Sequence, residues 1–202
     1  MKRRLLILGA GGHGRVLADI AQRHEQYDVI GFLDDSQTGT VNGLPCLGPI
    51  SRLAEIAGAS QFGNLAIVIG IGINSARKQV ALQLAEVVSR YQIAYARLID
   101  PSAVVSSHAS VGPGTVVMPQ AVINANAWIG EHVIINTSAT VDHDCNIASF
   151  AHLSPGVRLA GNVSIGEGTQ LGVGAVAIPG VRVGSWSLAA QEVLLFAISP
   201  TV

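Results

Sequence analysis

Aromatic residues make up only 4% of the 202 positions, and charged residues only 12%. An ordinary globular chain carries about 25% charge. Little charge beside 49% hydrophobic residues excludes a disordered chain. There is no basic excess: 12 Lys and Arg stand against 13 Asp and Glu, a net charge of −1. That balance argues against a partner among nucleic acids or anionic membranes. Only two cysteines occur, Cys46 and Cys145, far apart. They allow neither a zinc spacing nor a disulfide framework, and a reducing compartment is expected. Long hydrophobic runs are also missing. The run at residues 65–73 falls well short of the ~18 residues of a membrane span. Lys2-Arg3-Arg4 and residues 5–8 imitate a secretory leader, but glycines, His13 and Arg15 break the run and no cleavage site follows. The expectation is a cytoplasmic protein. What the chain does have is 23 glycines among aliphatic residues. That composition suits a repetitive β architecture that hides surface against copies of itself.

The first hundred residues alternate between strand and helix. Residues 5–8 and 29–33 read as short aliphatic strands, with a helical spacing through residues 15–25 between them. A helix opened by Pro49 and Ser51 runs through Ile56 and is closed by Gly58. A strand at 65–71, a helix at 74–90 and a strand at 95–99 follow. Aliphatic strands alternating with helices predict a parallel sheet covered on both faces, a Rossmann-like α/β domain over residues 1–100. Gly9, Gly11 and Gly14 form G-x-G-x-x-G between the first strand and helix, and Asp34 and Asp35 end the second strand. Such a turn holds phosphates on backbone N–H groups, with an acidic residue on the ribose. The competing reading is a tight turn that simply needs glycine. A single Rossmann half suits one nucleotide better than two, and His13 inside the loop suits a sugar or phosphate contact.

From Pro101 onward the pattern changes. Written in sixes from 103–108 to 181–186, fourteen consecutive units carry Val, Ile or Leu at the third place, except for Ala177. The first place is always Ala, Thr, Val or Cys. This is a hexapeptide repeat, which predicts a parallel β-helix over residues 101–202. Three sixes close one triangular coil, and third-place side chains stack inward at the ~4.8 Å strand spacing. These positions build a prism and carry no chemistry.

The residues that break the pattern are Asp142-His143-Asp144 and His152, half a coil later. An imidazole with a neighbouring carboxylate removes protons near neutral pH. Strand alternation would put both aspartates on the face opposite His143, unless the turn reorients one. A metal site from these four residues has no familiar spacing, and a solvated turn without a role is the plainest alternative. His24, His108 and His132 read as surface residues. Cys145 takes a small-residue slot and reads as buried filler.

A Rossmann-like half with Gly-Gly-His-Gly, joined to an unbroken hexapeptide prism with Asp-His-Asp, resembles the sugar acetyltransferases of the NeuD and PglD type. The resemblance covers residues 3 to about 186. It implies a trimeric left-handed parallel β-helix enzyme that uses acetyl-CoA without a metal. It further implies that Gly11, Gly12 and His13 hold a nucleotide-sugar, with Asp34 and Asp35 on the base or ribose side and Gly72 lining the pocket. By the same resemblance His143 is the general base, Asp144 raises its basicity, and His152 contacts the acetyl thioester. Gly161 and Val173 then lie along the pantetheine arm. The implied reaction is acetylation of a nucleotide-linked amino sugar in surface-glycan synthesis, such as a UDP-4-amino-4,6-dideoxy sugar. O-acetylation of a sialic-acid-like sugar is the nearest alternative.

The chain departs from the family at its C-terminal end. The repeat reads as fading after Val183, Gln191 stands where a glycine is expected, and Ala197-Ile198-Ser199-Pro200 follow. This departure favours a rival reading, a nucleotide-sugar-binding module with a weakened CoA site. It also predicts exposed apolar residues at 194–196 unless a neighbouring subunit covers them. An NAD-dependent oxidoreductase rests on the glycine loop alone.

Overall fold

A computed structural model describes residues 2–59 and 64–196. They divide into two compact units that meet in sequence at residues 101 and 102. The first unit opens with β1 (Arg3–Leu8), α1 (Gly12–Gln22) and β2 (Tyr27–Leu33). A hairpin of β3 (Thr40–Val41) and β4 (Leu44–Pro45) follows, then α2 (Leu53–Gly58), β5 (Leu65–Ile69), α3 (Asn74–Arg90), β6 (Ala94–Tyr95) and β7 (Leu98–Ile99). The sheet order is β2-β1-β5-β6, with parallel pairings. Leu5 to Leu8 and Leu65 to Ile69 are buried throughout, as strands covered on both faces must be. Leu84 of α3 joins Leu6, Leu8, Leu33, Leu53 and Ile67 in one core, with Val80 and Val87 packed against it.

Three local expectations change. The helix expected from residue 51 begins as a 3-10 turn, Ile50–Arg52, before α2. The strand expected at 95–99 divides into β6 and β7, and within this unit's sheet only β6 is paired. The β3–β4 hairpin was not anticipated. Its turn is Asn42-Gly43, both at positive φ (49° and 78°), and Asn-Gly between short strands is a strong hairpin signal.

The second unit is a left-handed parallel β-helix. Among the described residues, sixteen two-residue strands run from β8 (Val104–Val105) to β23 (Leu194–Leu195). One face stacks β10, β13, β16, β19 and β22. A second stacks β8, β11, β14, β17, β20 and β23, and a third β9, β12, β15, β18 and β21. Strands pair one coil apart, as in Val122 with Thr140 and Ile123 with Val141. Third-place residues from Val117 to Ala177 are buried, and so are first-place residues such as Ala121, Ala139, Cys145 and Val163.

The sixth place of each unit turns the corner. It has positive φ at Gly114 and then at every sixth residue through Asp144, Phe150, Asn162, Trp186 and Glu192. A non-glycine residue here gives up about 1–2 kcal/mol, which the ladder bonds of each coil offset. The register does not fade after Val183. β22 (Leu188–Ala189) and β23 keep the six-residue spacing, with corners at Trp186 and Glu192. The spacing survives because the backbone corner and ladder carry it, so small residues such as Ser187 and Ala189 can take the inward places. Leu194 and Phe196 are exposed, as expected, and so are Leu188 and Trp186. Residues 197–200 lie outside the described residues. No described helix is long and apolar enough to cross a membrane.

Candidate functional site

Two clusters of the expected site residues form, one in each unit. In the first unit the glycine turn and the loop after β5 pack backbone on backbone. A Cβ at Gly14 would fall 1.9 Å from the Gly9 carbonyl oxygen, and one at Gly70 would fall 2.7 Å from the Gly14 Cα. Close approach therefore explains Gly9, Gly14 and Gly70. It does not explain Gly11 and Gly12, where a Cβ would meet nothing within 4 Å. Gly11 also has an ordinary extended conformation, φ −70° and ψ −170°. These two glycines leave bare backbone at the start of α1, a helix with no acidic residue in its first turn. Bare N–H groups at a helix N-terminus suit an anion. His13 is half-buried in the same turn, and Gly72 faces it, with a Cβ there reaching to 4.0 Å of the His13 Cβ.

The two aspartates divide their work. Asp34 Oδ2 accepts the Ala10 N–H at 2.7 Å. Its Oδ1 accepts the N–H groups of Ser36 and Gln37 and the Ser36 hydroxyl, each at 2.8 Å. Burial would raise the Asp34 pKa, but these four bonds outweigh it and hold the carboxyl at about 2. Asp34 thus tethers the glycine turn to the end of β2. Asp35 accepts the Ile50 N–H at 2.9 Å and lines a largely apolar cavity of about 320 Å³ with Ile50, Val80, Gln83 and Leu84.

In the second unit Asp142-His143-Asp144 forms the corner between β14 (Thr140–Val141) and β15 (Asn146–Ile147). Because the segment turns there, strand alternation does not apply. Asp144 is left-handed (φ 59°), which brings its Oδ2 to 2.8 Å from His143 Nδ1. Asp142 faces elsewhere: its Oδ1 accepts the His143 N–H and the Asn124 side-chain amide, each at 2.8 Å. Asn126 donates to Asp144 Oδ1 at 3.2 Å. Both asparagines lie one coil, 18 residues, below the aspartates they hold; the coil period is legible in the sequence, but these two partners are not singled out there.

The Asp144 hydrogen bond, followed by the charge of Asp142, raises the His143 pKa above the ordinary imidazole value. A neutral ring donating from Nδ1 carries its lone pair on Nε2. One coil above, a Cβ at Gly161 would fall 2.6 Å from His143 Cε1 and Nε2, so glycine there gives the ring its place.

The corner therefore gathers His143, Asp144 and Gly161. It does not gather the other two. His152 is on β16 (His152–Leu153), the face opposite that corner, where the Asn136 side-chain amide donates to its Nε2 at 3.1 Å. Val173 sits on the corner between the first and second faces and is 50% exposed. Cys145 is buried, its thiol donating to the Ala160 carbonyl at 3.2 Å, and burial raises its pKa. That is the setting of a packed thiol, not a nucleophile. His132, expected on the surface, is 3% exposed and stacks on Phe150 with centroids 5.1 Å apart. The two rings occupy successive sixth places of one corner, where stacking along the prism covers them. Among the described residues no group of His, Cys, Asp or Glu is placed to hold a metal ion.

Comparison with known proteins gives a consistent neighbourhood. Residues 4–84 match the PglD N-terminal domain. The chain is 37% identical over 115 residues to the UDP-N-acetylbacillosamine N-acetyltransferase of Bacillus subtilis. That alignment covers 56% of this chain and 50% of the relative, so the match spans about half of the curated protein. Among solved structures, the acetyltransferase domain of PglB from Neisseria gonorrhoeae in complex with acetyl coenzyme A superposes with a TM-score of 0.87. It is 37% identical, over 97% of this chain and 94% of that one. A histidine-to-asparagine variant of perosamine N-acetyltransferase from Caulobacter crescentus, in complex with CoA and GDP-perosamine, also gives 0.87. It is 34% identical, over 95% and 87% of the two chains.

Proposed function

This chain belongs to the NeuD/PglD-type family of sugar acetyltransferases, and from that membership we propose that it transfers the acetyl group of acetyl-CoA to the amine of a nucleotide-linked amino sugar during glycan synthesis. The observation that carries the proposal is the 2.8 Å bond from Asp144 to His143 Nδ1, with Gly161 clearing room for the ring. His143 Nε2 takes a proton from the sugar amine as its nitrogen attacks the thioester carbonyl. Asp144 stabilises the imidazolium that forms. The C–S bond then breaks, and the departing thiolate takes the proton back from His143. No covalent enzyme intermediate is required, and the packed state of Cys145 agrees with that.

Gly11, Gly12 and His13 contact the phosphates and sugar, with Gly72 opposite them. Asp35, beside its apolar cavity, suits a flat part-polar ring such as a nucleobase. Gly161 and the exposed, apolar Val173 suit a pantetheine chain. His143 and His152 sit on opposite sides of one prism, so both reach one thioester only where two chains meet. A homotrimer with its sites between neighbouring prisms supplies that meeting, placing His152 of the partner subunit near His143. The relatives named for UDP-N-acetylbacillosamine and GDP-perosamine support an amino sugar as acceptor.

The test is release of the CoA thiol in the presence of UDP- and GDP-linked 4-amino-4,6-dideoxy sugars, with sialic-acid-like hydroxyl acceptors alongside. Release that depends on the amine supports the reading. Release only with hydroxyl acceptors favours O-acetylation, and nucleotide-sugar binding without any release overturns transfer.

A further inference from the structure

Arg77 heads the fully buried side chains of the described residues by volume, at 1% exposure, and the transfer chemistry above does not use it. It leaves the first turn of α3 and reaches back under the loop that precedes the helix. Its Nη1 donates to the carbonyls of Ile71 and Gly72 at 3.0 and 3.1 Å, and its Nη2 donates to Asn74 Oδ1 at 2.8 Å. Burial lowers its pKa to about 10, so the group stays charged at neutral pH. A charge taken out of water is costly unless its hydrogen bonds are well made. The bonds named here are made to the loop that carries Gly72. That loop lies against the first turn of α1: the two meet at Gly70 and Gly14, and Gly72 faces His13.

We propose that Arg77 is a positioning residue: its planar guanidinium gathers three acceptors of residues 71–74 and fixes that loop against His13, setting the spacing between the loop and the α1 turn that together receive the diphosphate of the nucleotide-sugar. The proposal rests on the reading of Gly11, Gly12, His13 and Gly72 as nucleotide-sugar contacts. A guanidinium suits the task because its donors form a rigid fork. A lysine ammonium keeps the charge but cannot bridge the same acceptors in one plane. Fixing the loop before the ligand arrives removes an ordering cost from binding. The proposal therefore concerns affinity for one substrate and leaves the acetyl-transfer step alone.

Arg77→Lys is expected to raise the nucleotide-sugar KM by about 10-fold or more, leaving kcat within ~3-fold and the acetyl-CoA KM unchanged. Amide exchange at residues 70–74 should accelerate while β1 and the prism keep their protection. Asn74→Ala removes one acceptor and leaves Arg77 in place. It should move the same KM in the same direction by about 3-fold, which keeps the test available should Arg77→Lys fail to fold. An unchanged nucleotide-sugar KM in either folded variant overturns the proposal. So does an equal rise in both KM values, which marks general loosening. If the wild-type protein shows no nucleotide-sugar-dependent CoA release, the reading of function has failed instead. Calorimetric titration with UDP and GDP then decides Arg77: weaker binding by Arg77→Lys supports positioning, and equal binding contradicts it.

Discussion

His143 has Nδ1 committed to Asp144, and that bond is the largest influence lifting its pKa above 6.5. A base works only when unprotonated, so the acid limb of the kcat/KM profile should lie above the ordinary imidazole value. Asp144→Asn should move that limb to lower pH and lower the plateau by about 10- to 100-fold. A limb that stays in place assigns the titration to another group. Gly161→Ala puts a methyl group against the ring and should cost about 10- to 100-fold in kcat with the melting midpoint little changed; kinetics at saturating substrates read this directly. At this scale the residue types were legible and their partners were not. His143 stood out because so little around it is charged. Which aspartate met the ring depended on a left-handed corner at Asp144, and pairwise alternation along a strand cannot represent that. The asparagines beneath were readable only by comparing residues 18 apart.

Elements carry the stability. Ile147 is fully buried at a third place of the prism, and Ile147→Ala should cost about 2–5 kcal/mol, measured by urea unfolding. The glycine turn has its own anchor in Asp34. Its folded pKa of about 2 lies below the ordinary aspartate value of 3.8. A depressed carboxyl adds stability that is complete above the unfolded pKa and is lost as pH falls through the folded one. Asp34→Asn should therefore melt below the wild type at pH 7, and the gap should close between about pH 4 and pH 2. A gap that is constant with pH contradicts the tether. The prism was legible because its period repeats without insertion, and the reading fell short only where small residues replaced Val and Ile after Val183. In the first unit the aliphatic strands and α3 were legible, whereas the β3–β4 hairpin hid in two-residue strands marked only by Asn42-Gly43.

For the whole molecule, composition takes on a structural meaning. The low aromatic share and the many glycines suit a narrow prism whose inward places admit small and aliphatic side chains. Exposed Leu188, Trp186, Leu194 and Phe196 leave apolar surface near the last coils. On the proposed assembly, sedimentation should give about three times the 20.9 kDa chain mass. The opposition of His143 and His152 makes a sharper prediction. If each site draws on two chains, mixing unfolded His143→Ala and His152→Ala chains and refolding them together should recover part of the activity that neither has alone. No recovery would contradict a thioester shared between His143 of one chain and His152 of the partner subunit. The central claim, acetyl transfer with His143 as base, is tested most directly by nucleotide-amino-sugar-dependent thiol release from acetyl-CoA in His143→Ala beside the wild type. The account predicts a fall of about 10²–10⁴-fold in a protein of unchanged mass and melting midpoint; undiminished turnover in that variant would contradict it.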